Sequence, residues 1–486
     1  MQALTNTGLI CIGVLLSIAF GVSLYYDLFY LFLLPPFIAA LYFAVFHTEK
    51  TFLSLGILFP LSVNIEEYTK NTGLFIPTEP ILFGLLLVLC ATQIKAPFLS
   101  RETWKQPIIY TWLILLAWIF ITSVTSSNPL ISFKFLLAKS WFVIPVLFFG
   151  TYFFKNEQNI SRFFVLLTIG VSVTALYTIV NHASYGFGEK ESHWVMFPFF
   201  KDHTIYGAII ALSIPISIAL LLVVKQKPLK QFMLLLMAVI LLLGLYFSYT
   251  RAAWLSIFIA VFIGFIIHIK LKKQIVLGAG IILLLFATYK WQTIQFELSR
   301  NKQEHTTEDF SERLQSAGNV TTDASNLERI NRWSCALEMF KERPVFGFGP
   351  GTYSFEYARF QSPDNLTIIS TNFGNLGNAH SEYLSFLSEM GLLGLLFFLA
   401  FVFSIFYSAI KLYYQTDRKE KNKRVFIMAM IISLSSYFIH AFLNNFLDTD
   451  KAAVPVFVLC AIIVSLRMNN HLLAANPKGG IERLST

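Results

Sequence analysis

The chain reads as an all-α, polytopic integral membrane protein, with about 12–14 transmembrane helices and one large extracytoplasmic loop containing an amphipathic helix. Three observations predict this class. The hydrophobic share is 56% and the charged share only 13% over 486 residues, where a soluble domain carries roughly 25% charged residues. Apolar runs of about 17–25 residues recur along nearly the whole length, each able to cross a ~30 Å hydrocarbon core. The runs are long and even, not ~10-residue alternating segments, which selects helices over a β-barrel.

In order, the predicted spans are 8–24, 27–46, 50–65, 76–94, 106–125, 131–153, 160–181, 203–224, 231–248, 252–269, 275–291, 381–410, 425–446 and 452–467. They divide the chain into an N-terminal membrane part (1–291), a large loop (292–380) and a C-terminal membrane part with a tail (381–486). Lysine and arginine mark cytoplasmic loops. With the N-terminus inside, the inner segments carry Lys225, Lys227, Lys230, Lys270, Lys272 and Lys273, and a further basic run over 418–424. The short outer loops carry far fewer. Both termini therefore fall inside and the large loop outside. The net charge of +9 is then a consequence of topology, and no nucleic-acid partner is implied. The first apolar run has no Lys or Arg before it and ends in aromatics, so it reads as a retained helix and not a signal peptide. Cys11, Cys90 and Cys460 lie in apolar spans and Cys335 lies alone in the large loop. Without a CxxC, neither a disulfide framework nor a zinc site is expected. The chain shows no internal repeat.

The first half of the loop, 300–325, is polar. In the second half, Leu327, Ile330, Trp333, Leu337 and Phe340 recur at helical spacing and predict an amphipathic helix over 326–341. Arg329 and Arg332 fall together on another face. Pro344 ends this helix, and Gly347-Phe348-Gly349-Pro350-Gly351 predicts a turn. The turn is only loosely like a phosphate loop, because no strand precedes it and no Gly-Lys-Ser/Thr follows.

Charged and polar residues near the outer helix ends are the candidates for chemistry. Arg251 follows Ser248 and Thr250, which can cap the next helix, so its guanidinium and the helix N-terminus together suit an anion. An interfacial arginine meeting lipid phosphate is an equal alternative. His380 opens the helix that re-enters the membrane. A helix N-terminus disfavours imidazolium, which leaves a neutral ring able to act as a base. Tyr383, three residues on, is placed on the same helix face. Glu389 is about half a turn round from His380, and Gly391 and Gly394 favour close helix packing. His440, Asn444 and Asp448 are spaced i, i+4, i+8 near an outer end. Asp202 and His203 precede a span, where Asp202 suits a capping role.

Three stretches resemble the O-antigen ligase and polymerase superfamily. They are Ser248-Tyr249-Thr250-Arg251-Ala252-Ala253-Trp254-Leu255, then Arg329-Ile330-Asn331-Arg332-Trp333 with Pro344-Val345-Phe346-Gly347-Phe348-Gly349-Pro350-Gly351, then Ala379-His380-Ser381-Glu382-Tyr383-Leu384 with Glu389-Met390-Gly391-Leu392-Leu393-Gly394. The resemblance covers about residues 230–410 and rests on order and spacing more than on any one stretch. Ser381 stands where the family commonly has Asn.

The resemblance implies a glycosyltransferase of the bacterial inner (cytoplasmic) membrane with its active site facing the periplasm. It implies transfer of a glycan from an undecaprenyl-diphosphate carrier to an acceptor hydroxyl, the lipid A core being the first choice. An O-antigen or exopolysaccharide polymerase and a protein O-oligosaccharyltransferase are alternatives within the superfamily. His380 is then the base, with Arg251 and Arg329 as catalytic groups on the diphosphate. Arg332, Tyr383, Asn444, Asp448 and His203 are candidate substrate contacts. No metal or other cofactor is implied. A transporter is the competing class, expected to show paired broken helices near the midplane. A membrane scaffold leaves the outer basic cluster unexplained.

Overall fold

The computed structural model describes residues 6–25, 34–65, 73–223, 228–272, 324–361 and 377–475, with isolated positions between 274 and 289. The helices before the large loop are α1 (Asn6–Tyr25), α2 (Leu34–Phe46), α3 (Thr48–Leu61), α4 (Thr78–Lys95), α5 (Pro107–Val124), α6 (Pro129–Phe153), α7 (Glu157–Ser184), α8 (His203–Val223), α9 (Pro228–Tyr246) and α10 (Arg251–His268). The loop helix α11 (Ala324–Glu342) follows, and then α12 (Glu382–Gln415), α13 (Lys421–His440) and α14 (Asp450–Ala475). Among the described residues, ten of these helices are long and apolar enough to cross a membrane, namely α4–α10 and α12–α14. The chain is an all-α, multi-pass membrane protein.

One expected span needs correction, and two expected segments lie outside the described residues. The span expected at 50–65 is a helix of 14 residues, which rises about 21 Å and so falls short of a ~30 Å core. It ends at a two-stranded antiparallel pair, Val63–Asn64 with Phe75–Ile76. The span expected at 275–291 and the first half of the large loop lie outside the described residues.

Burial sorts the helices into a centre and a rim. The membrane-length window of α14 is 94% buried and that of α9 only 28%. The α14 sequence is apolar on every side, which suits a helix with neighbours all round. Helix α8 packs on α13, α9 and α7, α10 packs on α13, and α14 packs on α6. On the rim, Leu235, Leu242, Phe258, Phe262 and Phe265 point outward, a face that lipid covers and water would not.

Helix α12 is broken. Gly391 has φ +69° and ψ −170°, so the predicted 381–410 span consists of a nine-residue segment, 382–390, and a longer one beyond the kink. A break exposes backbone groups that must find partners inside a membrane protein. Here the predicted glycine turn supplies them. The Phe348 and Gly349 N–H groups donate to the Ser388 and Glu389 carbonyls at 3.2 and 2.8 Å, and Leu392 N–H donates to the Pro344 carbonyl at 2.9 Å. The Trp118 indole donates to the Met390 carbonyl at 3.0 Å. Contact is so close that a Cβ on Gly347 would stand 2.3 Å from the Glu389 carbonyl carbon. The turn's N–H groups are thus spent on helix carbonyls, which closes the phosphate-loop alternative.

The loop forms a second, smaller core of Cys335, Ala336, Met339, Phe348, Tyr353, Tyr357 and Ala379. Helix α11 matches the predicted 326–341 helix to within two residues, but its buried face is not the predicted one. Glu328, Asn331, Arg332, Cys335, Ala336 and Met339 are buried, while Leu337 is 44% exposed. The polar stripe can turn inward because it is satisfied there: Arg332 pairs with Glu328 at 2.7 Å, Asn331 donates to Gln361 at 3.1 Å, and the Tyr353 hydroxyl donates to the Arg332 carbonyl at 2.7 Å.

Candidate active site

The starts of α8, α10 and α12 and the end of α13 meet at one end of the bundle. Asp202 caps α8, accepting from the Thr204 and Ile205 N–H groups at 2.8 and 3.1 Å, the arrangement that satisfies first-turn donors. The cap fixes His203 in the first turn, with its ring 4.2 Å from that of His193. The Thr250 hydroxyl donates to the His203 carbonyl at 2.7 Å, tying the start of α10 to the start of α8. Thr250 therefore occupies the N-cap position without making the side-chain cap expected of it. Gly207 allows the approach, since a Cβ there would stand 2.8 Å from the Thr250 Cβ. Arg251 is the first residue of α10, as predicted, and its Nη2 lies 3.7 Å from Glu189 Oε1.

His380 stands one residue outside α12. Ser381 is the N-cap, accepting from Leu384 N–H at 3.4 Å, and His380 holds φ +47°. Its N–H donates to Asn378 Oδ1 at 3.0 Å and its carbonyl accepts the Trp333 indole at 3.2 Å. Because His380 is not helical, Tyr383 does not share a face with it. The Tyr383 hydroxyl donates to the Phe438 carbonyl at 3.1 Å, and its ring stacks on Phe442 at 4.1 Å. Tyr383 belongs to the packing of α12 on α13.

The predicted i, i+4, i+8 series is not a helical stripe, because α13 ends at His440 and the chain turns. Asn444 is nevertheless brought to the site. Its Nδ2 lies 3.0 Å from His440 Nε2. Asp448 points elsewhere, pairing with Lys139 at 2.7 Å. Lys139 is buried within α6 and also donates to the Leu447 carbonyl at 2.7 Å. Glu382 completes the clamp on this turn, accepting the Phe446 and Leu447 N–H groups at 2.7 Å each.

Arg329, from α11, is the cation common to three imidazoles, acting on His203, His380 and His440. His380 is pushed down to about 4 by burial and by the Arg329 and Arg332 guanidinium groups, against the opposing pull of Asn444 and Asp202. Arg332 is committed to its surroundings. It pairs with Glu328, donates to the Asn378 carbonyl at 3.2 Å and lies 4.8 Å over the Tyr357 ring.

Of the residues singled out in the sequence, the fold thus gathers His380, Arg329, His203 and Asn444, with Arg251 at the adjoining helix start. Arg332, Tyr383 and Asp448 are held in the framework around them. His193, Lys139 and Glu382 were missed. A lysine inside an apolar span and a carboxylate beside a candidate base are readable signals of function or pairing; His193 carries none. Among the described residues, no three His, Cys, Asp or Glu side chains converge in a way that could hold a metal ion. Neutral imidazoles around an arginine can hold an anion and accept a proton in one place.

No curated protein matches this chain. Residues 236–399 match the family model described as O-antigen ligase, a segment that contains Arg251, Arg329, Arg332, His380 and the kink at Gly391. It ends before His440 and Asn444 and begins after His203, so the site also uses helices outside the matched segment. The match makes residues 236–399 similar to the O-antigen ligase family, and the three motifs that resemble that superfamily lie within them.

Proposed function

We propose that the chain transfers a glycan from an undecaprenyl-diphosphate carrier to an acceptor hydroxyl, with the lipid A core as acceptor, at the periplasmic face of the inner membrane. The observation that carries this reading is the convergence of Arg329 with His203, His380 and His440 at one end of the bundle. The reaction needs a base for the hydroxyl and positive charge for the diphosphate, and both chemistries meet there.

The step runs as a direct displacement. The acceptor oxygen attacks the anomeric carbon while His380 takes its proton. The bond from that carbon to the diphosphate oxygen breaks, and its electron pair leaves with the polyprenyl diphosphate. Arg329 and Arg251 stabilise the charge that develops on the leaving group. A single displacement inverts the anomeric carbon. The low value for His380 describes the protein without substrate. A bound diphosphate offsets the arginine charge and makes the ring a stronger base when the acceptor is present.

The test is the profile of carrier-linked and finished surface glycans in cells with the wild-type chain or His380→Ala. The expected result is lost surface product and accumulated carrier-linked glycan, with expression intact. Long accumulated chains support a ligase, and single repeat units support a polymerase. Unchanged pools would remove the transferase reading and leave transport as the leading class.

A further inference from the structure

We infer that Glu189 is a resident counter-ion of Arg251, displaced when the carrier diphosphate enters, and that it weakens the hold on the spent carrier. The inference rests on the reading of Arg251 as a contact of that diphosphate. Arg251 Nη2 and Glu189 Oε1 lie 3.7 Å apart. A charge-assisted hydrogen bond between such groups is about 2.7–2.9 Å long, so this pair attracts through charge from a looser position. The two side chains are 24% and 19% exposed, which leaves the pair open to a ligand yet less screened than one fully in water. The second carboxylate oxygen of Glu189, Oε2, is buried and has no hydrogen-bond partner among the described residues. An unsatisfied buried acceptor is costly. Both observations describe a carboxylate that holds its arginine without being committed to it.

The backbone that carries Glu189 is fixed. The Tyr249 hydroxyl donates to the Phe187 carbonyl at 2.6 Å, His182 Nε2 lies 2.7 Å from the Gly188 carbonyl oxygen, and the Ser192 hydroxyl donates to the Glu189 carbonyl at 2.6 Å. Tyr249 stands two residues before Arg251, so this loop is tied to the start of α10 and Glu189 stays beside the arginine when the arginine changes partner. A carboxylate fixed there has two effects. It balances Arg251 while the site is empty, where a partly buried cation needs a partner. It also repels a bound diphosphate, so that affinity falls below what the guanidinium and the helix N-terminus would give alone. The repulsion is greater for the product than for the donor. The donor diphosphate is esterified at both ends, and breaking the bond to the sugar leaves one more negative charge on the departing group. Glu189 therefore favours donor over spent carrier, at the step where product release can set the turnover of an enzyme.

The experiment uses the purified full chain in detergent, with labelled undecaprenyl diphosphate as the probe and its Kd read by equilibrium binding. Glu189→Gln keeps the shape and removes the charge. It should tighten binding about fivefold or more, the scale on which a partly exposed ion pair competes. Glu189→Ala removes the same charge and decides the matter where Glu189→Gln fails to fold. Glu191 lies against Gly188 on the same loop, and Glu191→Gln, the control for net charge, should change Kd by less than about twofold. Arg251→Met should weaken binding, and adding Glu189→Gln to it should then change little, because the two residues act on one contact. A merely structural Glu189 would weaken binding when replaced. Weaker or unchanged binding in Glu189→Gln, beside weakened binding in Arg251→Met, would overturn the inference and leave Arg251 on the diphosphate. Equal tightening in Glu191→Gln would reduce the effect to net charge and overturn it as well. Unchanged binding in Arg251→Met would take that arginine off the diphosphate, and the inference with it. No binding by the wild-type chain would remove the carrier reading itself.

Discussion

Replacing Gly391 by alanine tests whether the break in α12 is a built element. The backbone there, φ +69° and ψ −170°, is a region that essentially only glycine occupies, and a side chain costs about 1–3 kcal/mol in strain. The added Cβ would also stand 2.1 Å from the Val345 carbonyl oxygen and 2.7 Å from that of Pro344. Those atoms are backbone and cannot swing aside. Moving them apart breaks the bonds from Phe348, Gly349 and Leu392, each contributing about 1 kcal/mol. The expected loss is roughly 4 kcal/mol or more, with the large loop released from the membrane bundle. Gly186→Ala is the control. Gly186 holds φ +70° with nothing within 4 Å, so that variant carries strain without the clash. Heat unfolding of the purified chain in detergent, followed with carrier-diphosphate release, reads both effects. Gly391→Ala should unfold well below Gly186→Ala and transfer little. Equal midpoints and equal transfer for the two would refute the reasoning.

On the proposed role of His380 as base, the pH dependence of transfer follows from its ring. The ring is held to about 4 by burial, Arg329 and Arg332, so the base stays neutral as pH falls and kcat/KM should hold until about pH 4. The kcat limb should lie higher, since a bound diphosphate offsets the arginines. A kcat/KM limb at 6.5 or above in the pH profile would contradict the placement of the ring. Lys139→Met should destabilise the chain by about 1–3 kcal/mol, because it strips the Leu447 carbonyl of its donor. Asp448→Asn should cost less, since Asp448 is 39% exposed, and heat-unfolding midpoints that rank the two the other way would refute the clamp. Cys335 is fully buried and its thiol is raised to about 11, so the thiolate is scarce at neutral pH. Maleimide mass-tagging should label it only after denaturation, and labelling in the native protein would contradict the small loop core.

What the sequence made legible follows the range of its signals. Span lengths and the helix over 326–341 could be read because hydropathy and helical period are local. The break at Gly391 could not, because the glycine's neighbours in sequence are helix formers and the partners that justify it, Val345 and Pro344, come from another segment. The turn 347–351 was visible as a turn but not as the strap that satisfies the kink. In α11 the period was right and the face was wrong. The predicted stripe followed residue size, whereas the fold buries Asn331 and Arg332 because Gln361, Glu328 and Tyr357 are there to receive them.

The site shows the same division. His380 and Arg251 stood out because each is a charged or titratable group flanking an apolar helix, where such residues are costly without a role, and Arg329 stood out as one of two arginines on a face of the loop helix. Asn444 was found by a helical spacing that does not exist, since the chain leaves the helix at His440. It comes to His440 instead, on a turn that Glu382 and Lys139 pull inward. Glu382 lies in the third motif, but Lys139 lies in none of the three. The segment that matches the O-antigen ligase model thus holds the proposed base and arginines, while α6, α8 and the turn after α13 lie outside it. If the presentation of the base differs between relatives with the same motifs, the acceptor they use should follow the residues around Asn444 and not the arginines. Exchanging 441–449 between two such chains and asking which acceptor is glycosylated would test that, and an acceptor that stays with the arginine-bearing segment would place specificity in the large loop instead.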